Sequence, residues 1–272
     1  MKIRLMCFNV NGIRARMHQL QRVLDVHKPE IIGLQETKVQ DSEFPLEEIQ
    51  QLGYHAEYFG QKGHYGVALL SKSPAVETRK GFSSDDPESQ KRFIQGCYNF
   101  SGATFHIINC YFPQGESRSH PSKFPAKKQF YEDLYQHIQT NFTTNDRLIV
   151  MGDMNVAASD FDIGLTEENK GRWLRTGKSS FLPEEREWLQ KVKSLGLADT
   201  FRMINGTEKR VYSWYDYRSR GFDQKPKIGL RIDLILSSKC VSPLVHSAGI
   251  DVDARGQEKP SDHCPIWADI KL

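Results

Sequence analysis

Two apolar runs constrain this chain more than anything else in it. IIGLQE (31–36) and LIVMGD (148–153) are each the length of one buried strand, each follow a helical stretch, and each end on an acid. A strand that is apolar on both faces must be covered on both sides. Two such helix-then-strand units predict two similar halves packed together, each with helices outside a sheet. Further runs rich in Val, Ile, Phe and Tyr read as strands at 3–10, 30–35, 55–59, 66–71, 93–100, 104–112, 147–153, 230–237 and 263–271. Helical patterns fall at 16–27, 45–53, 124–142 and 183–196. PLEEIQQLG opens on Pro and closes on Gly, and PEEREWLQKVKSLG does the same with acids in its first turn. The strand spacing also suits an all-β sandwich, but four helices argue against that. No Gly/Ser/Pro-rich linker divides residues 1–272, so one α/β domain is expected, with two sheets face to face and helices outside.

Composition removes other classes. Hydrophobic residues make up 38% and charged residues 26% of the chain, which excludes disorder, collagen and coiled coil. Mean hydropathy is −0.57, and apolar runs such as VALL (67–70) are far shorter than the roughly 18 residues a membrane span needs. MKIRLMCFNVNG reads as a first strand rather than a signal peptide. Cys7, Cys97, Cys110, Cys240 and Cys264 are odd in number and form no CxxC, so free thiols in a reducing cytoplasm are expected.

The net charge of +3 is unevenly spread. Residues 206–231 carry seven Lys/Arg against three Asp/Glu, and residues 114–128 carry four against one. Both stretches hold aromatics: Trp214, Tyr215, Tyr217 and Phe222 in the first, Phe124 in the second. Cations interleaved with rings suit a polyanion that carries bases. A solvated loop with incidental charge has the same composition, so this pattern alone decides nothing.

The acids decide more. Burying an unpaired carboxylate costs several kcal/mol, so any single acid beside an apolar strand is best read as half of a salt bridge, with Arg231 as one candidate partner. Here four clusters share the habit: Asn9 and Asn11 in FNVNG, Glu36 in LQET, Asp153 and Asn155 in GDMN, and Asp262–His263 in SDHCP. Each follows or begins an apolar strand, so the side chains can converge at one edge of the sandwich. Hard oxygen donors without Cys favour Mg²⁺, Mn²⁺ or Ca²⁺ over zinc. Mg²⁺ takes one or two carboxylates and keeps waters for substrate phosphates, which Glu36, Asp262 and an Asn would satisfy. Phosphodiester hydrolysis needs an activated water, charge relief at the phosphate and a stabilised leaving oxygen. His263 would take the water's proton if a carboxylate fixed its tautomer, and Asp233 is the candidate. Other systems are weaker. No GxSxG is present, GQKGHYG (60–66) is not closed by GK[ST], and TGKSS (176–180) lacks the earlier Gly of a phosphate loop.

At this point the order of motifs becomes recognisable. FNVNGIRAR, GLQETK, GHYGVALLSK, NCYFPQGESR, HPSKFPAK, MGDMN, RWLRTGKSSFLPEEREW, YDYRSRGFD, LRIDLIL and EKPSDHCPIWA run the length of the chain. The chain resembles the exonuclease III family of DNA-repair nucleases, its bacterial branch in particular, within the DNase I-like endonuclease/exonuclease/phosphatase fold. The resemblance implies a four-layer α/β sandwich with one active site at the sheet edge. It implies that Asn9 and Glu36 lie by the metal, with Glu36 the principal ligand and Asp262 completing the site. Asp153 and Asn155 would move the proton and contact the phosphate or a second metal. Tyr111 would contact the phosphate or assist the leaving group, and His263 with Asp233 would activate water or bind the scissile phosphate. Trp214, Ile232 and Leu230 would border a pocket for a base-free deoxyribose; some relatives carry Trp where Leu230 stands. Arg92, Gln114, Arg118 and Lys123 are candidate phosphate contacts. The expected activity is Mg²⁺-dependent, with Mn²⁺ able to substitute. Its substrate is double-stranded DNA, cut 5′ to an abasic site or shortened from its 3′ ends, in base excision repair. A cytoplasmic monomer, associated with the nucleoid through DNA and with no membrane partner, is the default. Two rivals remain: a phosphatase of the same fold acting on an inositol phosphate or sphingomyelin, and a non-catalytic DNA-binding protein.

Overall fold

The structure, a computed structural model, describes residues 1–272. Twelve strands form two six-stranded sheets. The first contains β1 (Lys2–Asn9), β2 (Ile31–Gln35), β3 (His55–Phe59), β4 (Val67–Ser71), β11 (Val245–Ile250) and β12 (Ile266–Lys271), in the order β11-β12-β1-β2-β4-β3. The second contains β5 (Glu77–Lys80), β6 (Phe93–Phe100), β7 (Ala103–Tyr111), β8 (Leu148–Asp153), β9 (Leu197–Asp199) and β10 (Asp233–Ser238), in the order β5-β6-β7-β8-β10-β9. Each sheet has one parallel pair at its centre, β1/β2 and β7/β8, and is antiparallel elsewhere. A parallel pair needs a crossover. Helix α1 (Met17–His27) supplies it in the first sheet and α3 (Lys123–Asn141) in the second. The two halves that the sequence echo predicts are therefore present.

Alternation along each strand sorts the core into layers. Ile3, Leu5 and Cys7 of β1 face Ile107, Ile149 and Met151 of the second sheet across the central layer. Met6 and Phe8 turn the other way, against Leu20, Val23 and Leu24 of α1 and Ile49 of α2 (Leu46–Gln51). Outside the second sheet, Ile108 and Val150 pack on Phe130, Leu134 and Ile138 of α3 and on Leu189 and Val192 of α5 (Pro183–Lys193). The result is the expected helix–sheet–sheet–helix stack. Three strands, β5, β9 and β11, and two helices, α4 (Glu167–Thr176) and α6 (Thr200–Asn205), were not foreseen. Two boundaries also move. β10 starts at Asp233 rather than at residue 230, because Leu230 bridges Ile163 and Trp214 instead of joining the sheet. β12 starts at Ile266 rather than 263, just past Pro265, which has no N–H for a ladder. All five cysteines are free, and no helix is long and apolar enough to cross a membrane.

Candidate active site

The topology brings four strand ends and two strand beginnings to one edge. Asn9 closes β1, Glu36 follows β2, Tyr111 closes β7 and Asp153 closes β8. Asp233 opens the antiparallel β10 and pairs directly with Asp153. Asp262 and His263 precede β12, which runs antiparallel to β1. Glu36 and Asn155 both adopt left-handed φ, at 54° and 52°. Non-glycine residues seldom adopt that conformation, and here it ends the two central strands where the site begins.

The acids are wired to one another. The Asn9 amide donates to Glu36 Oε1 at 2.9 Å and to Asp153 Oδ2 at 3.0 Å, so one side chain spaces two carboxylates from different sheets. The Lys38 ammonium lies 2.8 Å from Glu36 Oε2. Burial works against the Glu36 charge, but Lys38 and the Asn9 amide outweigh it and hold its pKa below the usual range. His263 Nδ1 donates to Asp233 Oδ2 at 2.9 Å, and the Ser213 hydroxyl donates to the same oxygen at 2.6 Å. That leaves Nε2 of His263 facing Asp153 Oδ2 at 3.7 Å. Burial opposes the imidazolium, yet the Asp233 and Asp153 carboxylates prevail and raise His263 to about 10. Burial pushes Asp153 up to about 7; His263 opposes this, while Asp233 and Glu36 add to it. Burial and the nearby Glu36 charge keep the Tyr111 phenol neutral, well above its ordinary pKa.

Ligand atoms of Glu36, Asp153 and His263 lie within 4.8 Å of one another. Crowded carboxylates, one of them driven up towards neutrality, are a donor set that a hard divalent cation would relieve, so the site fits one. Two further expected metal neighbours, Asp262 and Asn155, line the same site and are also hydrogen-bonded. Asp262 accepts from the Asn11 amide at 2.9 Å and from the Trp214 indole at 3.0 Å. The Asn155 amide donates to the Phe112 carbonyl at 2.9 Å.

Above this floor opens a cleft of about 570 Å³. Glu36, Tyr111, Asp153, Asn155, Asp262 and His263 form its base, and Gln114, Trp214 and Ile232 border it. Leu230 lies beneath, 1% exposed, packed with Ile163, Phe181 and Ile232. The remaining candidates do not line the cleft, although Arg92 packs directly behind Tyr111. Arg92 is buried, with its guanidinium 4.2 Å from the Tyr65 ring centroid and 4.6 Å from that of Tyr111. Arg118 pairs with Glu184 and Lys123 with Glu116 on the surface. Of the aromatics in the basic stretch, Tyr215 is buried and Phe222 is covered by Lys227 and Arg255, so Trp214 is the ring that faces the cleft. The far wall was not anticipated. Arg172 and Trp173 of α4, Lys178 after it, and Arg218 line it, with Lys178 stacked 3.7 Å over Trp173. The RWLRTGK string carried that signal as cations beside an aromatic, although it fails as a phosphate loop. Lys38 and Ser213 were also missed. Each acts only through its contact with an acid, which spacing does not reveal.

Comparison with known proteins places the chain by family and by fold. The model of the endonuclease/exonuclease/phosphatase family matches residues 6–263. The chain is 50% identical over 269 residues to exodeoxyribonuclease III of Haemophilus influenzae, covering 99% of this chain and 100% of that one. It is similar in structure to a 3′–5′ exonuclease from Neisseria meningitidis, with 33% identity, a TM-score of 0.89, and 99% and 100% of the two chains covered. An AP endonuclease from Archaeoglobus fulgidus matches equally well, with 32% identity, a TM-score of 0.89 and the same coverage.

Proposed function

This chain belongs to the endonuclease/exonuclease/phosphatase family, and from that premise we propose a Mg²⁺-dependent exonuclease III that shortens double-stranded DNA from 3′ ends and incises it 5′ to abasic sites. Both cuts leave a 3′-hydroxyl, so in both the water attacks phosphorus and the 3′-oxygen departs. The observation that carries this reading is His263, held from behind by Asp233 and aimed at Asp153 beside Glu36, on the floor of a cleft with a cationic wall.

The residues divide the work. His263 keeps its proton at neutral pH and, with Nδ1 committed to Asp233, offers Nε2–H to a phosphate oxygen. Asp153, which accepts from the Asn9 amide and faces His263, is the carboxylate placed to take the proton of the attacking water. The neutral Tyr111 phenol is a donor for the phosphate or the departing oxygen. Asn155, whose N–H donates to Asp153 Oδ1 at 3.0 Å, fixes that carboxylate's rotamer. Glu36 and Asp153 would hold the divalent ion, which supplies positive charge at the phosphate oxygens when bound. Lys178, Arg172 and Arg218 face the DNA backbone, and Trp214 and Ile232 border the place where a sugar without a base would sit. An abasic nucleotide leaves the helix at low cost because nothing must be unstacked.

Two labelled duplexes test the proposal, one with a central abasic analogue and one with a recessed 3′ end, each with Mg²⁺ and with EDTA. Incision of the first and shortening of the second, only with Mg²⁺, is the expected result. Binding without cleavage would overturn it.

A further inference from the structure

The active site is divided between the sheets. Asn9, Glu36, Asp262 and His263 come from the first, and Tyr111, Asp153, Asn155 and Asp233 from the second. The layer that joins the sheets is apolar, built from side chains such as Ile3, Leu5, Leu69, Ile107 and Ile149. Apolar packing is non-directional and by itself sets the relative position of two sheets loosely. A site that needs sub-ångström placement across that layer requires directional bonds close by.

Such bonds exist one and two residues from the reacting groups. Asn109 of β7 is fully buried and reaches across the layer. Its amide donates to the carbonyls of Leu34 and Ala68, both at 2.9 Å, in β2 and β4 of the opposite sheet. Its oxygen accepts from Gln35 Nε2, and Gln35 is also fully buried. Gln35 precedes Glu36, and Asn109 lies two residues before Tyr111 on the same strand. The space for this crossing is made by Gly33, where an added Cβ would fall 2.7 Å from Asn109 Cγ. Nothing in the chemistry uses Asn109 or Gln35, yet both are polar groups buried in an apolar layer, and polar groups there are retained where they specify geometry.

We propose that Asn109 and Gln35 are positioning residues that pin the two sheets in register, so that Glu36 meets Asp153 and Tyr111 at the spacing the reaction requires. This rests on the nuclease reading of the site. The pin acts on the ground-state geometry of the metal-holding carboxylates, so its loss shows in metal affinity and in kcat rather than in DNA binding.

The test uses the full chain with Asn109→Ser, Gln35→Met and, as a control from the same apolar layer, Ile107→Val. Each is measured for its melting temperature, Mn²⁺ affinity by titration without DNA, and kcat and KM on the recessed duplex. Asn109→Ser and Gln35→Met are expected to lower kcat tenfold or more and to weaken Mn²⁺ binding several-fold, with KM within twofold of the parent. Ile107→Val is expected to lower the melting temperature and leave kcat and Mn²⁺ affinity unchanged. If Asn109→Ser fails to fold, Gln35→Met decides, because it keeps the two carbonyl contacts. Parental kcat and Mn²⁺ affinity in a folded variant overturn the proposal. So does a control whose kcat falls in proportion to its melting temperature. A parent that binds Mn²⁺ but cuts no DNA refutes the nuclease reading instead, and the Mn²⁺ titration still decides the pin.

Discussion

At the scale of single residues, the site depends on pairs in which one member sets the state of the other. Asp233 has no place at the reacting atoms, but it fixes which nitrogen of His263 faces the cleft. Asp233→Asn offers that ring an amide instead of a carboxylate and removes the charge that holds its proton. Turnover should fall on the order of 100- to 10,000-fold, as in comparable histidine–carboxylate pairs, while the dissociation constant for DNA changes little. Single-turnover cleavage set beside equilibrium binding checks this, and near-normal turnover would dissolve the pair's assigned role. Most of these residues were legible from sequence, because acids and amides at the tips of apolar strands are costly unless they have work to do. Ser213 and Lys38 were not. A hydroxyl or a lysine is unremarkable in sequence, and only the fold shows it touching Asp233 or Glu36.

At the scale of elements, two clusters of charge join parts that apolar packing leaves free to slide. Asp269 of β12 accepts two bonds from Arg4 of β1, both 2.7 Å, one from Ser247 of β11 at 2.8 Å, and meets Lys2 at 3.0 Å. Burial opposes its charge, but Arg4, Lys2 and Ser247 prevail and lower its pKa from the usual 3.8 to about 2. The unfolded chain therefore binds this proton first. The stability it contributes is complete above about pH 4 and is lost as the pH falls towards 2. Asp269→Asn should lower the melting temperature at pH 7 and flatten the acid limb of stability against pH; an unchanged acid limb would count against the linkage. The second cluster is Lys127 of α3 and Glu185 of α5, both wholly buried and 2.5 Å apart. Lys127 also donates to the Asn155 carbonyl at 2.9 Å, and Glu185 accepts from the N–H groups of Ser180 and Leu182, both at 2.8 Å. Lys127→Met strands a buried carboxylate and should cost about 3–5 kcal/mol in urea denaturation, with Glu185→Gln in the same chain recovering part of it. Long strands and helices were legible because their periodicity is strong. β5, β9 and β11 were not, being three or four residues long or, for β11, interrupted by a register shift, and all at or next to a sheet edge. α6 has six residues, too few for a periodic pattern, and lacks the opening Pro that marks the equally short α2.

At the scale of the whole molecule, charge is arranged around one cleft. The two basic stretches counted in the sequence do not contribute equally. Arg118 and Lys123 of the first are neutralised by glutamates at the surface, whereas Arg218 of the second joins Arg172 and Lys178 on the cleft wall. Lys178→Ala and Arg218→Ala should each reduce the slope of log affinity for DNA against log salt by about 1, across DNA sequences alike. A slope unchanged in both would move the DNA path elsewhere. Sequence shows only part of this wall, the cations beside Trp173 in RWLRTGK, because α4 and the loop at 214–229 meet only in the folded chain. The order of the parts along the chain sets when the site can form. Asn9 comes from the first strand of the chain and His263 from just before the last, and β12 must dock against β1 to bring them together. A growing polypeptide still on the ribosome carries Glu36, Tyr111 and Asp153 long before it carries Asp262 and His263. Asp262 and His263 are thus the last residues of the site to be made, and the site is complete only when β12 has closed against β1.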